Sequence, residues 1–129
     1  MSGNSAIIHA HPMTLTESRV GEVTVLTLAG RLVFDDGDAL LRARVAELAA
    51  EGRTRIVLDL RQVTSIDSCG VGELVARLVS LRKRGGDIRL LHLSLRAHRV
   101  MDISKLLDVF ATYDSEAAAV ASFSSAPGA

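Results

Sequence analysis

The segment Ile66-Asp67-Ser68-Cys69-Gly70-Val71-Gly72 gathers a carboxylate, a hydroxyl, a thiol and two glycines where an apolar strand-like run gives way to a helical pattern. Free N–H groups and the positive end of the dipole make a helix N-terminus receptive to anions, and they can lower a thiol pKa. Three chemistries suit such a turn, and each needs more than is present. A dinucleotide fingerprint needs a third glycine where Val75 stands, and a P-loop needs a Gly-Lys-Ser/Thr triplet that the chain lacks. A cysteine phosphatase needs Arg six residues after the nucleophile, and that residue is again Val75. His92 and His98 are conceivable bases for Cys69, but there is no Cys-x-x-Cys and no Gly-x-Ser-x-Gly. No complete catalytic set is found, so no intrinsic hydrolase or nucleotide-transfer activity is expected. Asp67 and Ser68 read as helix caps, and Cys69 as a small, partly buried residue of the same cap. Gly70 and Gly72 leave room for another backbone to approach.

Other groups carry less. His9 and His11 form a His-x-His pair without a nearby Cys or carboxylate, so no metal site is expected. Arg82, Lys83 and Arg84, with Arg89, Arg96 and Arg99, read as helix-end and solvated charges, not as a membrane or RNA patch. Asp59 has no second carboxylate partner and reads as hydrogen-bonded to loop N–H groups.

These residues need a scaffold. Thr14–Val20 and Val23–Ala29 are strand-like and meet at Gly21-Glu22, which predicts a β-hairpin closed off by Gly30. A helix is expected over Asp38–Ala50, with Leu41, Val45 and Leu48 as its buried stripe and Asp35, Asp36 and Asp38 capping its start. Arg55–Leu60 is a near-continuous apolar run, as for a strand covered on both faces. Val71, Leu74, Val75 and Leu78 give helical spacing for a helix from Ser68 to Arg84, stopped by Gly85-Gly86. Then come a strand over Ile88–Leu93, a helix over Leu95–Leu107, a short strand over Val109–Tyr113, and a last helix running to Phe123. Strands alternating with helices predict an α/β fold with a mixed, mostly parallel sheet. Residues 14–123 form the domain, between flexible tails at 1–13 and 124–129.

Composition narrows the function. The chain has 129 residues, which is one domain's worth, and 48% are hydrophobic, enough for a core. Fifteen basic residues balance fifteen acidic ones, unlike a nucleic-acid binder. Three Phe, one Tyr and no Trp give no base-stacking platform. The single cysteine cannot form an internal disulfide, which suits a reducing compartment. There is no signal-peptide pattern and no apolar run approaching the ~20 residues of a membrane span, so a cytoplasmic protein without direct membrane insertion is expected.

In order and spacing, several segments resemble the STAS domain, shared by anti-sigma factor antagonists and sulfate-transporter tails. They are Leu28-Ala29-Gly30-Arg31-Leu32, Ile56-Val57-Leu58-Asp59-Leu60, Ile66 through Leu74, Gly85 through Leu90, and Ala117 to Phe123. The resemblance implies the STAS fold, with helices mainly on one face of the sheet. It also implies a non-enzymatic protein-binding module without cofactor, most readily an anti-sigma factor antagonist in transcription regulation. Its partner would be an anti-sigma factor that is also a serine-kinase-like ATPase. The alternative is a STAS subunit docking on an ABC-type or anion transporter at the cytoplasmic membrane face. Whether the protein forms a homodimer is left open.

The expected partner surface joins Asp67, Ser68, Cys69, Gly70, Val71 and Gly72 to Val33, Asp35 and Asp36. In the antagonists, the kinase phosphorylates the residue just before the Gly of an Asp-Ser-Ser-Gly motif, and the complex dissociates. Cys69 occupies that position here, with Ser68 as the alternative acceptor. A second departure is Gly30-Arg31-Leu32-Val33, where the family often has Gly-x-Leu-Asp. Without a hydroxyl at position 69, regulation is expected from protein level, with the thiol shielded by the loop.

Overall fold

A hairpin of two strands opens the chain and sets the edge of one sheet. The computed structural model describes residues 12–106 and 108–124. Strand β1 spans Thr14–Val20 and β2 spans Val23–Leu32; helix α1 (Gly37–Ala50) leads into β3 (Arg55–Ile66). Helix α2 (Ser68–Arg82), strand β4 (Asp87–Leu91), helix α3 (Leu95–Ile103), strand β5 (Ala111–Tyr113) and helix α4 (Glu116–Ser124) follow. The sheet order is β1-β2-β3-β4-β5, with β1 antiparallel to β2 and every other neighbouring pair parallel.

That order explains the layering. Each crossover steps one strand further in the same direction, and crossovers of one hand then place their helices on one face. Accordingly α1, α2 and α3 cover the same side. Leu41, Val45 and Leu48 of α1, Leu74, Leu78 and Leu81 of α2, and Met101 of α3 share one core with Leu26, Leu28, Ile56, Leu58, Ile88 and Leu90 of the sheet. Helix α4 lies on the opposite face, where Ala119 and Phe123 pack on Val23, Val25, Val57 and Leu91. Burial on both faces is why the start of β3 reads as an unbroken apolar run.

The structure corrects several boundaries. Gly30 does not end β2. It sits inside the strand with φ +119°, at a shift in register, and the strand continues until Leu32 pairs with Ile66. Strand β3 likewise runs past Leu60. Thr27 and Ala29 oppose Asp59 and Gln62, so β3 carries an extra residue there. This bulge breaks the alternation, and the next inward side chain after Leu60 is Val63. Helix α2 ends at Arg82, β4 at Leu91 and α3 at Ile103, each short of the expected Arg84, Leu93 and Leu107, and β5 begins at Ala111. Met13, assigned to the leading tail, is buried in the main core. The rest of that tail up to His11, including the His9 and His11 pair, lies outside the described residues, as do Leu107 and residues 125–129.

Leu58, fully buried in the central strand, gives the test of this core. Leu58→Ala is expected to lower the unfolding free energy by about 2–5 kcal/mol in urea titration. Leu95→Ala, at a site 87% exposed on α3, is expected to stay within about 0.5 kcal/mol of the parent.

Candidate partner-binding site

The C-terminal ends of β2 and β3 lie side by side, and the chain leaves them into the β2–α1 loop and into α2. Asp67 is the N-cap of α2. Its Oδ1 accepts from the Gly70 N–H at 2.9 Å, as a cap should. Its Oδ2 accepts from the Phe34 N–H at 3.1 Å, across to the β2–α1 loop. Its own N–H donates to the Leu32 carbonyl at 3.4 Å. One carboxylate thus fastens two loops together. Burial pushes its pKa up, but the N–H groups of Gly70, Phe34 and Cys69 outweigh this and hold Asp67 below the usual carboxylate value.

Gly70 completes the junction from the other side. A Cβ placed there would lie 2.0 Å from the Leu32 carbonyl oxygen. Its lack of a side chain therefore serves packing within the chain, and Gly70 itself is buried. Gly72 is different: it is exposed, with open space around a notional Cβ. Ser68 and Cys69 are also exposed, while Val71 and Val33 are half-buried. Cys69 is therefore not the partly buried residue expected from the sequence, and the loop does not shield its thiol. The reason is its position in the first turn of α2, next to a cap that turns inward, so the side chain faces solvent.

The β2–α1 loop also departs from expectation. Asp36 is the N-cap residue of α1, but its side chain makes no capping bond. Its Oδ1 instead accepts from the Met13 N–H at 2.9 Å, tying the loop to the start of β1. Buried Asp38 accepts from the Ala39 N–H at 2.7 Å and from the Asp36 N–H at 3.3 Å. Asp35 is exposed at φ +60°, a conformation that Asp tolerates better than most residues. Between Val33 and Asp35, Phe34 stands 69% exposed. The sequence reading missed it. An aromatic residue inside an acidic loop was the available signal, since a core side chain is not expected there.

Other candidates resolve into structure. Asp59 Oδ1 accepts from the Arg61 N–H at 3.0 Å, a bond within β3 at its bulge and not to a loop as expected. His92 Nε2 lies 2.7 Å from the Arg61 guanidinium, so that imidazole is engaged away from Cys69. Arg82 pairs with Asp87 at 3.0 Å, and Arg84 donates to the Ala49 carbonyl at 3.1 Å. Arg89 bonds Asp87 and lies over the Phe123 ring. Among the described residues no cluster of three His, Cys, Asp or Glu could hold a metal ion, and no helix is long and apolar enough to cross a membrane.

Comparison with known proteins fits this geometry. The STAS domain model matches residues 14–119, and the chain belongs to the STAS domain family. BtrV of Bordetella bronchiseptica, described as a candidate anti-sigma factor antagonist, is 30% identical over 88% of this chain and 97% of its own. The anti-sigma F factor antagonist of Paenibacillus polymyxa is 26% identical, over 73% of this chain and 80% of its own. A Thermotoga maritima crystal structure, described as a candidate anti-sigma factor antagonist, superposes with a TM-score of 0.78 at 27% identity. It covers 84% of this chain and 92% of that one.

Two substitutions test the junction. Asp67→Ala removes the cap and the bond to the loop, and is expected to cost about 1–2 kcal/mol near neutral pH. A carboxyl held low in the fold contributes fully above its unfolded value, ordinarily 3.8, and that contribution is lost as pH falls through the lower folded value. The stability gap between parent and Asp67→Ala should therefore narrow below about pH 4 in urea titrations across pH. Gly70→Ala should destabilise by roughly 1–3 kcal/mol or more, because backbone has to move to admit the methyl group.

Proposed function

We propose that this chain is an anti-sigma factor antagonist: a non-enzymatic, cytoplasmic binding module that captures an anti-sigma factor and so frees a sigma factor for transcription. The observation that carries this reading is the exposed Ser68-Cys69 step at the start of α2, set beside the β2–α1 loop by the Asp67 carboxylate. The antagonist relatives support the partner class. Asp67, Ser68, Cys69, Val71 and Gly72, with Val33, Asp35 and Asp36, are proposed as the contact surface, and buried Gly70 supports it from beneath. The partner is proposed to be of the serine-kinase-like ATPase kind.

In that class a phosphate would add roughly −2 of charge at the contact surface, beside the Asp67 carboxylate, which disfavours a docked partner. Cys69 offers sulfur where the acceptor hydroxyl would stand. The kinase is therefore expected to bind this protein without releasing itself by phosphorylation. Regulation then falls to protein level, to another partner, or to oxidation of the thiol, which is exposed.

Intact-mass measurement of parent and Cys69→Ser, each incubated with the purified cognate anti-sigma factor and ATP, tests the switch. The parent should stay unmodified and bound, whereas Cys69→Ser should gain one phosphate and lose affinity. A phosphate on Ser68 of the parent, with loss of affinity, would show that the switch lies one residue earlier. A parent that binds no anti-sigma factor but does bind a transporter's cytoplasmic domain would replace this reading with the transporter one.

A further inference from the structure

Phe34 is one of three phenylalanines in the chain, and it is used unlike the other two. Phe110 and Phe123 are buried at 3% and 7% exposure, while Phe34 is 69% exposed. An aromatic side chain left in water forgoes burial free energy, and a mobile loop would at least let it fold back onto the surface. This loop is held at several points. The Phe34 N–H is bonded to Asp67 Oδ2 at 3.1 Å, and the Asp36 and Asp38 N–H groups both bond the Val33 carbonyl, at 3.2 and 3.3 Å. Asp36 is tied to the Met13 N–H. At Gly37 a Cβ would lie 2.5 Å from the Arg31 carbonyl oxygen, so the loop closes tightly on the end of β2. The ring is thus carried outward on a fixed backbone beside the exposed first turn of α2.

We propose that Phe34 is the specificity-determining anchor of the partner surface, inserting into an apolar pocket rimmed by basic residues on the anti-sigma factor. The inference rests on the antagonist reading and names what that partner has to offer. Ring chemistry calls for the pocket, because aromatic anchors seated in desolvated pockets dominate interface energetics. Charge calls for the basic rim: exposed Asp35 follows Phe34 directly, and Asp36 and Asp67 flank it. Complementary charge at such a rim steers encounter more than it adds affinity. Half-buried Val33 precedes the ring and exposed Asp35 follows it, so the loop offers an aromatic anchor beside a carboxylate and selects for a pocket of that combined chemistry.

Binding of the parent, Phe34→Ala, Phe34→Leu and Asp35→Asn to each purified ATPase-type anti-sigma factor of the same genome, followed by titration calorimetry and stopped flow, tests this. Phe34→Ala is expected to weaken binding about 30-fold or more, as for an interface hot spot, and Phe34→Leu to recover most of that loss. Asp35→Asn should lower the association rate at low salt and leave dissociation nearly unchanged. Unchanged thermal unfolding midpoints, within about 2 °C, separate lost contact from lost fold, as expected for an exposed site. Leu95→Ala, 87% exposed on α3, should bind as the parent does. Parent binding with Phe34→Ala unaffected overturns this inference alone. A parent that binds none of these factors overturns the antagonist reading, and this inference with it.

Discussion

The bonds of the Asp67 carboxylate set the geometry on which the candidate site depends. Two oxygens on one side chain accept from Gly70 at the start of α2 and from Phe34 in the β2–α1 loop. Strand pairing already brings Leu32 beside Ile66, and these bonds then fix the β2–α1 loop against the first turn of α2. With them, the exit of β2 and the entry of α2 become one surface. The glycine beneath it is equally constrained, since Leu32 fills the space a side chain at position 70 would need. Caps are usually discussed as helix stabilisers worth about 1 kcal/mol. Here the same interaction also decides which side chains stand together in water.

The sheet explains why that surface is an edge and not a crevice between strands. A crevice at the carboxyl ends of parallel strands opens where strand order reverses. In this fold the parallel strands run β2-β3-β4-β5 without reversal, and α1, α2 and α3 lie on one side. What remains at the ends of β2 and β3 is a raised edge: the loop bearing Phe34 and Asp35, and the first turn of α2 bearing Ser68 and Cys69. Such an edge suits the face of another protein. The anti-sigma factor antagonists among its relatives are consistent with that use.

In the proposed function, one atom at Cys69 separates the binding role from the regulatory one. Sulfur in place of a hydroxyl leaves the helix N-terminus, the Asp67 cap and the exposure of the position intact. It removes the group that a serine kinase would modify. On the proposed reading, the docking geometry is kept while the release step is lost, and control comes from elsewhere.

The sequence by itself determined much of the scaffold. Leu41, Val45 and Leu48 at helical spacing, the apolar run at the start of β3, and the Gly21-Glu22 turn each follow from local periodicity and turn chemistry, and each element formed there, although β2 and β3 run on further than expected. Asp67 was legible as a cap because capping is a contact between residues three apart. Only the tertiary structure decided the rest, because the deciding partners are distant in sequence. The bulge between Asp59 and Gln62 arises from pairing with β2, so β3 could not be followed past Leu60 by alternation. Met13 is buried because the Asp36 carboxylate holds its N–H and the main core receives its side chain. The Asp67 bond to Phe34 spans thirty-three positions. Exposure of Cys69 and Phe34 depends on how two loops pack against each other, which local pattern does not encode.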